Sequence, residues 1–210
     1  MSNLEFGYEA TAAADVAAVA LDGTTFYFQV SRPATTLEPP APPNPSPSMS
    51  ETFRGTMRSL AAGVVLVTTT VDGRPWGVTV SSFTSLSVEP PRVLVSLMRN
   101  TASCQAIEEL GVFGVDLLGD AHKAIAESGA ARGAPKFLDP RTLAPGGTAL
   151  APMVKGALAH IDCELEQIFD GGDHAIILGR VVDVVTTHRH SSASPLVYFD
   201  GGFHHIGQPL

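Results

Sequence analysis

Residues 77–103 read GVTVSSFTSLSVEPPRVLVSLMRNTAS, and this stretch decides the fold class. Apolar and β-branched residues dominate 77–86 and 92–98, which predicts two β-strands separated by the break at Pro90 and Pro91. The second strand runs into a turn at Arg99 that opens a helix. Because the two strands are joined without a long crossover, they are expected to belong to an antiparallel meander.

Strand patterns continue on both sides of this stretch, with only short helices between them. Phe53, Met57 and Leu60 recur at helical spacing, which predicts an amphipathic helix at the start of the domain. This order of elements predicts a mainly β fold with short helices, a barrel or a sandwich. The further strands are predicted at 64–71, 112–118, 153–167, 174–185 and 195–205, and the further helices at 101–109 and 122–128.

Residues 1–48 differ in composition from the rest of the chain. Seven of the 16 prolines lie in RPATTLEPPAPPNPSPS at 32–48, which predicts an extended linker. Before it, 10–21 is compatible with a short helix or a strand, and 24–30 with a strand or small hairpin behind an Asp22–Gly23 turn. Residues 1–48 also carry five acidic side chains and one basic one. We therefore divide the chain into an acidic, proline-rich arm and linker at 1–48 and one domain at 49–210.

Composition and charge argue against several classes of function. The chain has 210 residues, 44% of them hydrophobic, and a formal net charge of -8 without a basic run, so nucleic-acid binding is not expected. No apolar stretch reaches the roughly 18 residues of a membrane span, and no secretory leader is recognisable. Cys104 and Cys163 form no CxxC pair, so a reducing, cytoplasmic location is expected.

Several common catalytic and nucleotide-binding motifs are absent from the sequence. It contains no GxGxxG after a strand, no GxxxxGK[ST], no GxSxG and no HExxH. His188 and His190 would share one side of an extended segment, but two histidines without nearby acids or thiols make a weak metal site. No metal site is therefore predicted.

The 77–103 stretch holds more hydroxyl groups than a buried strand needs. On a strand, Thr79 and Ser81 share one side, and the turn at Arg99 places a cation and hydroxyls at a helix N-terminus. Such a terminus attracts anions, since its backbone N–H groups are unpaired and its dipole is positive. Alternatively, Thr101 is only an N-cap and the serines lie on a solvated face. The residues alone leave both interpretations open.

Four blocks of sequence occur in a characteristic order: FRGTMRSLAAGVVLVTT at 53–69, the 77–103 stretch, SGAARGAPKF at 128–137, and GGDHAIILGRVVDV followed by PLVYFDGGFHHIG within 171–207. Together they resemble the flavin reductase-like family, short-chain NAD(P)H:flavin oxidoreductases built on the FMN-binding split β-barrel, a Greek-key antiparallel barrel. The resemblance implies reduction of FMN or FAD by NADH, with NADPH as a second option. It further implies a homodimer that passes reduced flavin to a partner monooxygenase.

The resemblance also implies which residues hold the cofactors. The strand over 79–83 is expected to contact the flavin ring edge and ribityl chain through main-chain amides and hydroxyls. The turn over 99–103 is expected to meet the phosphate, with Arg99 as a charge partner. His174 is expected near the flavin and His204 near the nicotinamide, where an imidazole orients the rings or donates a hydrogen bond. The cofactor-binding set is Thr79, Val80, Ser81, Ser82, Ser96, Arg99, Asn100, Thr101, Ser103 and Phe137, and the catalytic set is His174 and His204.

Several aromatic residues and histidines in or near this set have a structural alternative. His174 can cap a hairpin, and Phe137 can anchor an exposed loop. Trp76, the only tryptophan, can shield the flavin ring or lie at a rim or dimer contact. His204 and the histidine after it face opposite sides of one strand, so at most one of them lines a site. His160 is expected to serve packing.

Two other functions are compatible with the same scaffold. One is a flavin-binding module that holds its cofactor for electron transfer or storage without turning over pyridine nucleotide. The other is a flavin-dependent enzyme that acts directly on an organic substrate. NADH oxidation measured with and without free flavin discriminates between the three functions.

Overall fold

The computed structural model describes residues 16–21, 24–29, 47–145, 149–186 and 194–207. The chain divides into two compact units, Met1–Ser50 and Glu51–Leu210. In the first unit, β1 (Val16–Leu21) pairs antiparallel with β2 (Thr24–Gln29), with Val16 opposite Gln29. A strand and hairpin are thus observed where the sequence allowed them. The Asp22–Gly23 turn, nearly all of the proline-rich segment, and His188 and His190 lie outside the described residues.

The second unit is built around antiparallel strands. Seven strands form one sheet in the order β5-β4-β8-β9-β10-β7-β6, and three form another in the order β12-β11-β3. The elements are α1 (Pro47–Met57), β3 (Ala62–Gly63), β4 (Val65–Val71), β5 (Arg74–Val80), β6 (Phe83–Val88), β7 (Pro91–Met98), α2 (Ala102–Leu110), β8 (Val112–Leu117), α3 (Lys123–Ala130), β9 (Ala159–Gly171), β10 (His174–Thr186), β11 (Leu196–Phe199) and β12 (Gly202–His205).

The strand predicted over 77–86 is two strands in the structure. β5 ends at Val80 and β6 begins at Phe83, and these two strands form opposite edges of the seven-stranded sheet. Ser81 and Ser82 alone connect them. Three residue steps span at most about 11 Å, so the two edges must lie close together and the sheet must curl into a barrel.

Two other strands differ from the sequence-based expectation. The final strand predicted over 195–205 is the hairpin β11–β12, because Asp200 and Gly201 turn the chain with positive φ angles of 46° and 80°. The strand predicted from residue 153 begins at Ala159. The segment before it forms an isolated antiparallel bridge between Val154 and Leu143.

Strand β4 is buried on both faces and connects the two parts of the core. Val65 and Val67 point into the main core, together with residues of β7, β8, β9 and β10. Leu66 points to the opposite face, where it packs with Ala126 of α3. Alternate residues of a strand face opposite sides, so β4 supports the barrel interior and α3 at the same time. This packing brings α3 against the end of β5.

The predicted amphipathic helix is present as α1, but it excludes Leu60, the last of the three apolar residues that predicted it. It begins at Pro47, since proline is tolerated in the first turn of a helix, and it ends at Met57 before Leu60. Its apolar side chains are not covered: Phe53 is 64% exposed and Met57 43%. Among the described residues, no helix is long and apolar enough to cross a membrane.

Candidate functional site

A cavity of about 650 Å³ lies in the second unit where the two edges of the curled sheet meet. One wall is the end of β5 with Ser81 and Ser82. A second wall is the end of β7 with the first residues of α2. The end of α3 and the loop after it form a third, and the side chains of Tyr198 and Phe203 close a fourth.

The wall formed by β5 carries a polar atom without a partner. The hydroxyl oxygen of Thr79 is buried and has no hydrogen-bond partner among the described residues. Ser82 donates from Oγ to the carbonyl of Ser96 at 2.7 Å, so this serine attaches the β5–β6 connection to β7. An unpaired buried hydroxyl is costly, and a ligand that accepts or donates a hydrogen bond at Thr79 removes that cost.

The start of α2 combines a helix cap with a buried hydroxyl. Thr101 is the N-cap: its hydroxyl accepts from the backbone N–H of Cys104 at 3.4 Å and donates to the carbonyl of Met98 at 2.9 Å. Ser103 is buried and accepts a hydrogen bond from the indole Nε1 of Trp76 at 2.8 Å. Both residues line the cavity. Thr101 is therefore an N-cap that also lines the cavity, and its contact with a flavin stays a prediction.

His174 lines the cavity at the start of β10. Its Nδ1 lies 2.6 Å from a carboxylate oxygen of Asp173. This hydrogen bond, with the attraction between the two groups, holds the pKa of Asp173 below its usual range. Because a carboxylate only accepts, Nδ1 carries the hydrogen and Nε2 is the ring nitrogen left for a ligand.

Most of the predicted site residues line this one cavity, and four do not. Arg99 forms an ion pair with Asp170 at 2.7 Å and so binds the β9–β10 turn instead of facing the cavity. Asn100 supplies the left-handed residue of the turn before α2, with a φ of 59°. The residues that line the cavity are Thr79, Val80, Ser81, Ser82, Ser96, Thr101, Ser103 and His174.

Phe137 and His204 are the other two predicted residues outside the cavity lining. The ring of Phe137 packs edge-on against Trp76 at 4.8 Å between centroids, with the guanidinium of Arg74 3.7 Å from the centroid of Phe137. His204 instead lies with Nε2 3.1 Å from the carbonyl oxygen of Phe199. Its neighbour Phe203 lines the cavity, and strand alternation directs successive side chains to opposite faces.

Two cations in the cavity wall were not predicted as site residues. Arg132 and Lys136 lie in the loop after α3, and among the described residues neither has a carboxylate partner. Lys136 donates from Nζ to the carbonyl of Ala131 at 2.5 Å, and burial lowers the pKa of this lysine. The sequence did carry a signal for these two cations. The glycine-containing block SGAARGAPKF holds two basic residues four positions apart.

The cavity combines three kinds of chemistry. Trp76, Tyr198 and Phe203 offer aromatic surface, the serines and Thr79 offer hydroxyls, and the loop after α3 offers positive charge. A planar aromatic ligand with an anionic tail matches this arrangement. Within the described parts of the chain, no group of three histidines, cysteines or acids is arranged to hold a metal ion.

Comparison with known proteins matches most of the second unit, which contains the cavity, to one protein family. The model of the family described as flavin reductase like domain matches residues 57–207. The chain is 36% identical over 152 residues to "Flavin-dependent monooxygenase, reductase subunit HsaB" of Rhodococcus jostii, covering 72% of this chain and 75% of that protein. It is 34% identical over 162 residues to "4-hydroxyphenylacetate 3-monooxygenase, reductase component" of Thermus thermophilus, covering 77% of this chain and 99% of that protein.

Solved structures share the fold. BorF, the flavin reductase component of a bacterial two-component tryptophan halogenase, matches with a TM-score of 0.67 and 34% identity, over 76% of this chain and 99% of that one. The Streptomyces globisporus NADH:FAD oxidoreductase SgcE6, solved with NAD and FAD fragments, matches with a TM-score of 0.67 and 27% identity, over 77% and 95%. The predicted mainly β split barrel is thereby confirmed. The chain belongs to the flavin reductase like domain family.

Proposed function

We propose that the protein is an NAD(P)H:flavin oxidoreductase that reduces FMN or FAD by hydride transfer and supplies the reduced flavin to a partner monooxygenase. The observation that carries the proposal is the cavity itself. It brings together an unpaired buried hydroxyl at Thr79 and two cations, Arg132 and Lys136, without carboxylate partners among the described residues. These groups suit the polar ring edge and the phosphate of a flavin nucleotide. Relatives named as monooxygenase reductase components support the choice of partner.

The flavin and the nicotinamide supply the redox chemistry when bound, so the residues of this chain have to bind, orient and shield. Thr79 and Ser103 offer hydrogen bonds to the ring or ribityl chain. Arg132 and Lys136 balance phosphate charge. The aromatic side chains Trp76, Tyr198 and Phe203 exclude water from the cavity.

Of the two candidate histidines, His174 is the one to which we assign the catalytic role. Asp173 holds its Nδ1 hydrogen, so Nε2 accepts a hydrogen bond when the ring is neutral and donates one when it is protonated. The role of His204 beside a nicotinamide stays a prediction, as do those of Arg99, Asn100 and Phe137. None of these four residues lines the cavity, so each role depends on a contact with a ligand that extends outside it.

NADH is the proposed electron donor and FMN or FAD the acceptor. A relative from Kitasatospora aureofaciens is named "Flavin reductase (NADH)", whereas a related reductase was solved with NADP+.

We also propose that the enzyme is a homodimer in the cytoplasm, with residues 1–48 as an appended arm. The exposed apolar side of α1 supports the dimer, and two buried free cysteines suit a reducing compartment.

Stopped-flow oxidation of NADH and NADPH by the full chain, with FMN, FAD or no added flavin, tests the proposal. We expect rapid oxidation that depends on added flavin, followed by release of the reduced flavin. A tightly bound yellow cofactor without turnover would identify an electron-transfer module instead. Oxidation that requires a third, organic compound would identify a direct flavin-dependent enzyme.

Two histidine variants examine the proposed roles in the same assay. His174→Ala removes a cavity-lining imidazole, and we expect it to slow flavin reduction by about 100-fold, the lower end of what a positioned proton donor contributes. His204→Ala is expected to slow hydride transfer more than it weakens flavin binding. An unchanged rate for either variant removes that histidine from the catalytic set.

A further inference from the structure

Trp76 connects three walls of the cavity. It lies on β5, is only 8% exposed and lines the cavity. Its indole Nε1 donates to Ser103 Oγ at the start of α2, at 2.8 Å. Its ring meets Phe137 edge-on, and the two residues form a backbone bridge that attaches the loop after α3 to β5. Trp76, which is part of β5, thus contacts both α2 and the loop that carries Lys136.

The contact with Trp76 determines which hydrogen bonds the hydroxyl of Ser103 can still form. An indole N–H donates and cannot accept, so the oxygen of Ser103 is the acceptor in this hydrogen bond. The hydrogen of the same hydroxyl has no acceptor among the described residues, although Ser103 is only 4% exposed. Because Ser103 lines the cavity, this hydrogen is available to a ligand there.

We propose that Trp76 is a positioning residue for ligand binding: its indole N–H holds the Ser103 hydroxyl in the orientation that donates a hydrogen bond to an acceptor atom of the bound flavin nucleotide. This inference rests on the proposed function. Phenylalanine would fill a similar volume but would leave the hydroxyl free to rotate toward a nearby backbone carbonyl, as serine hydroxyls often do. The hydroxyl would then be lost as a directed donor to the ligand.

A double-mutant cycle on the full chain tests the proposal, with FMN as the probe and isothermal titration calorimetry as the readout. We expect Ser103→Ala to weaken FMN binding by about 3- to 10-fold, the effect of one neutral hydrogen bond. Trp76→Phe is expected to weaken it by a similar factor. The double variant is expected to match Ser103→Ala alone, since the contribution of Trp76 passes through Ser103. Thr84→Ala, which removes an exposed hydroxyl on β6 outside the cavity lining, is the matched control.

A spectroscopic readout keeps the proposal testable if Trp76→Phe does not fold. The chain has one tryptophan, so its indole N–H gives a single cross-peak in a ¹H–¹⁵N spectrum. We expect this peak to move upfield in Ser103→Ala, where the acceptor is lost. In the unmodified protein we expect it to shift again when FMN saturates the site, because Ser103 then donates to the ligand.

Three results would overturn the inference. They are additive effects of the two substitutions, unchanged FMN affinity in Ser103→Ala, and an indole peak that does not respond to that substitution. If the unmodified protein binds neither FMN nor FAD, the proposed function itself is wrong. If it binds flavin and the cycle is additive, only the role of Trp76 is rejected.

Discussion

At the scale of single residues, His160 lies fully buried between two aspartates. Its Nδ1 is 2.9 Å from Asp116 and its Nε2 is 3.1 Å from Asp162. Ionised carboxylates only accept, so the protonated ring satisfies both contacts. Burial opposes the charge on His160, but the hydrogen bonds and charges of the two aspartates outweigh it and raise its pKa. The same aspartates accept the backbone N–H groups of Val154 and Ala151, and so hold the segment before β9 against the sheet.

This cluster predicts a stability that depends on pH. A group whose pKa is raised on folding contributes its full stabilisation below its unfolded value, here 6.5, and loses it as the pH rises through the folded value. Burial also raises the pKa of Asp116 above its usual 3.8, so the contribution of this carboxyl likewise falls with rising pH, beginning at a lower pH than that of His160. We therefore expect the free energy of unfolding to fall as the pH is raised from about 6.5 into the alkaline range, measured by urea denaturation.

Replacing His160 isolates the contribution of its ring to the free energy of unfolding. His160→Gln leaves two buried carboxylates without a cation, so we expect a loss of about 3–5 kcal/mol at pH 6 and a flatter pH profile above it. The exposed residue His205 provides the control, His205→Gln, which should retain the profile of the unmodified protein. A steep alkaline decline that persists in His160→Gln would mean that another group is responsible.

At the scale of elements, α3 and β5 approach each other closely beside the cavity. A Cβ added at Gly129 would lie 2.9 Å from Leu66 Cδ1 and 3.0 Å from the backbone nitrogen of Thr79, and closer still to the Thr79 hydroxyl. A backbone atom cannot rotate away, so the helix itself would have to move. The glycine therefore sets the distance between two walls of the cavity.

Gly129→Ala is expected to destabilise the protein by about 1–3 kcal/mol, the usual cost of overpacking, and to weaken FMN binding in the same titration. Gly55→Ala in α1 is the matched control, because nothing lies within 4 Å of a Cβ at that position. That exposed helical substitution should be neutral or stabilising by up to about 1 kcal/mol. Equal melting temperatures for the two variants would show that α3 does not restrain β5.

Much of the element order could be predicted from sequence, because alternation, turn residues and helix caps are local signals. The partner exchange at Ser81 and Ser82 could not, since two adjacent serines interrupt the alternation without indicating which strand becomes the next neighbour. The same limit applies to the site. Thr79 and Ser103 lie within one quoted stretch, whereas Lys136 and Phe203 reach the cavity from distant segments. Local periodicity carries no information about such long-range pairing.

At the scale of the whole molecule, apolar side chains remain exposed on α1 and on the segment after it. Phe53 is 64% exposed and Leu60 58%. Covering such groups with a second copy would remove apolar surface from water, which favours association. We expect a dimer of the full chain by sedimentation velocity at micromolar concentration.

Substitution of the exposed helix tests this expectation. Phe53→Ser should shift the sedimentation equilibrium toward the monomer, whereas Arg54→Ser, one position along the same helix, should leave the dimer intact. A monomer in the unmodified protein would contradict the proposed assembly. Equal dissociation by both variants would show that polarity or helix stability, rather than the apolar contact, is responsible.

The order of strands has a consequence for synthesis on the ribosome. β10 is the strand that joins β9 to β7, yet it is among the last to be made, and Phe203 of the cavity wall follows it. A nascent chain that ends before residue 174 therefore holds two groups of strands with exposed edges, which the chain links but which β10 does not yet join by hydrogen bonds. Such a chain has no formed pocket, and its unpaired strand edges are open to pairing with neighbouring nascent chains.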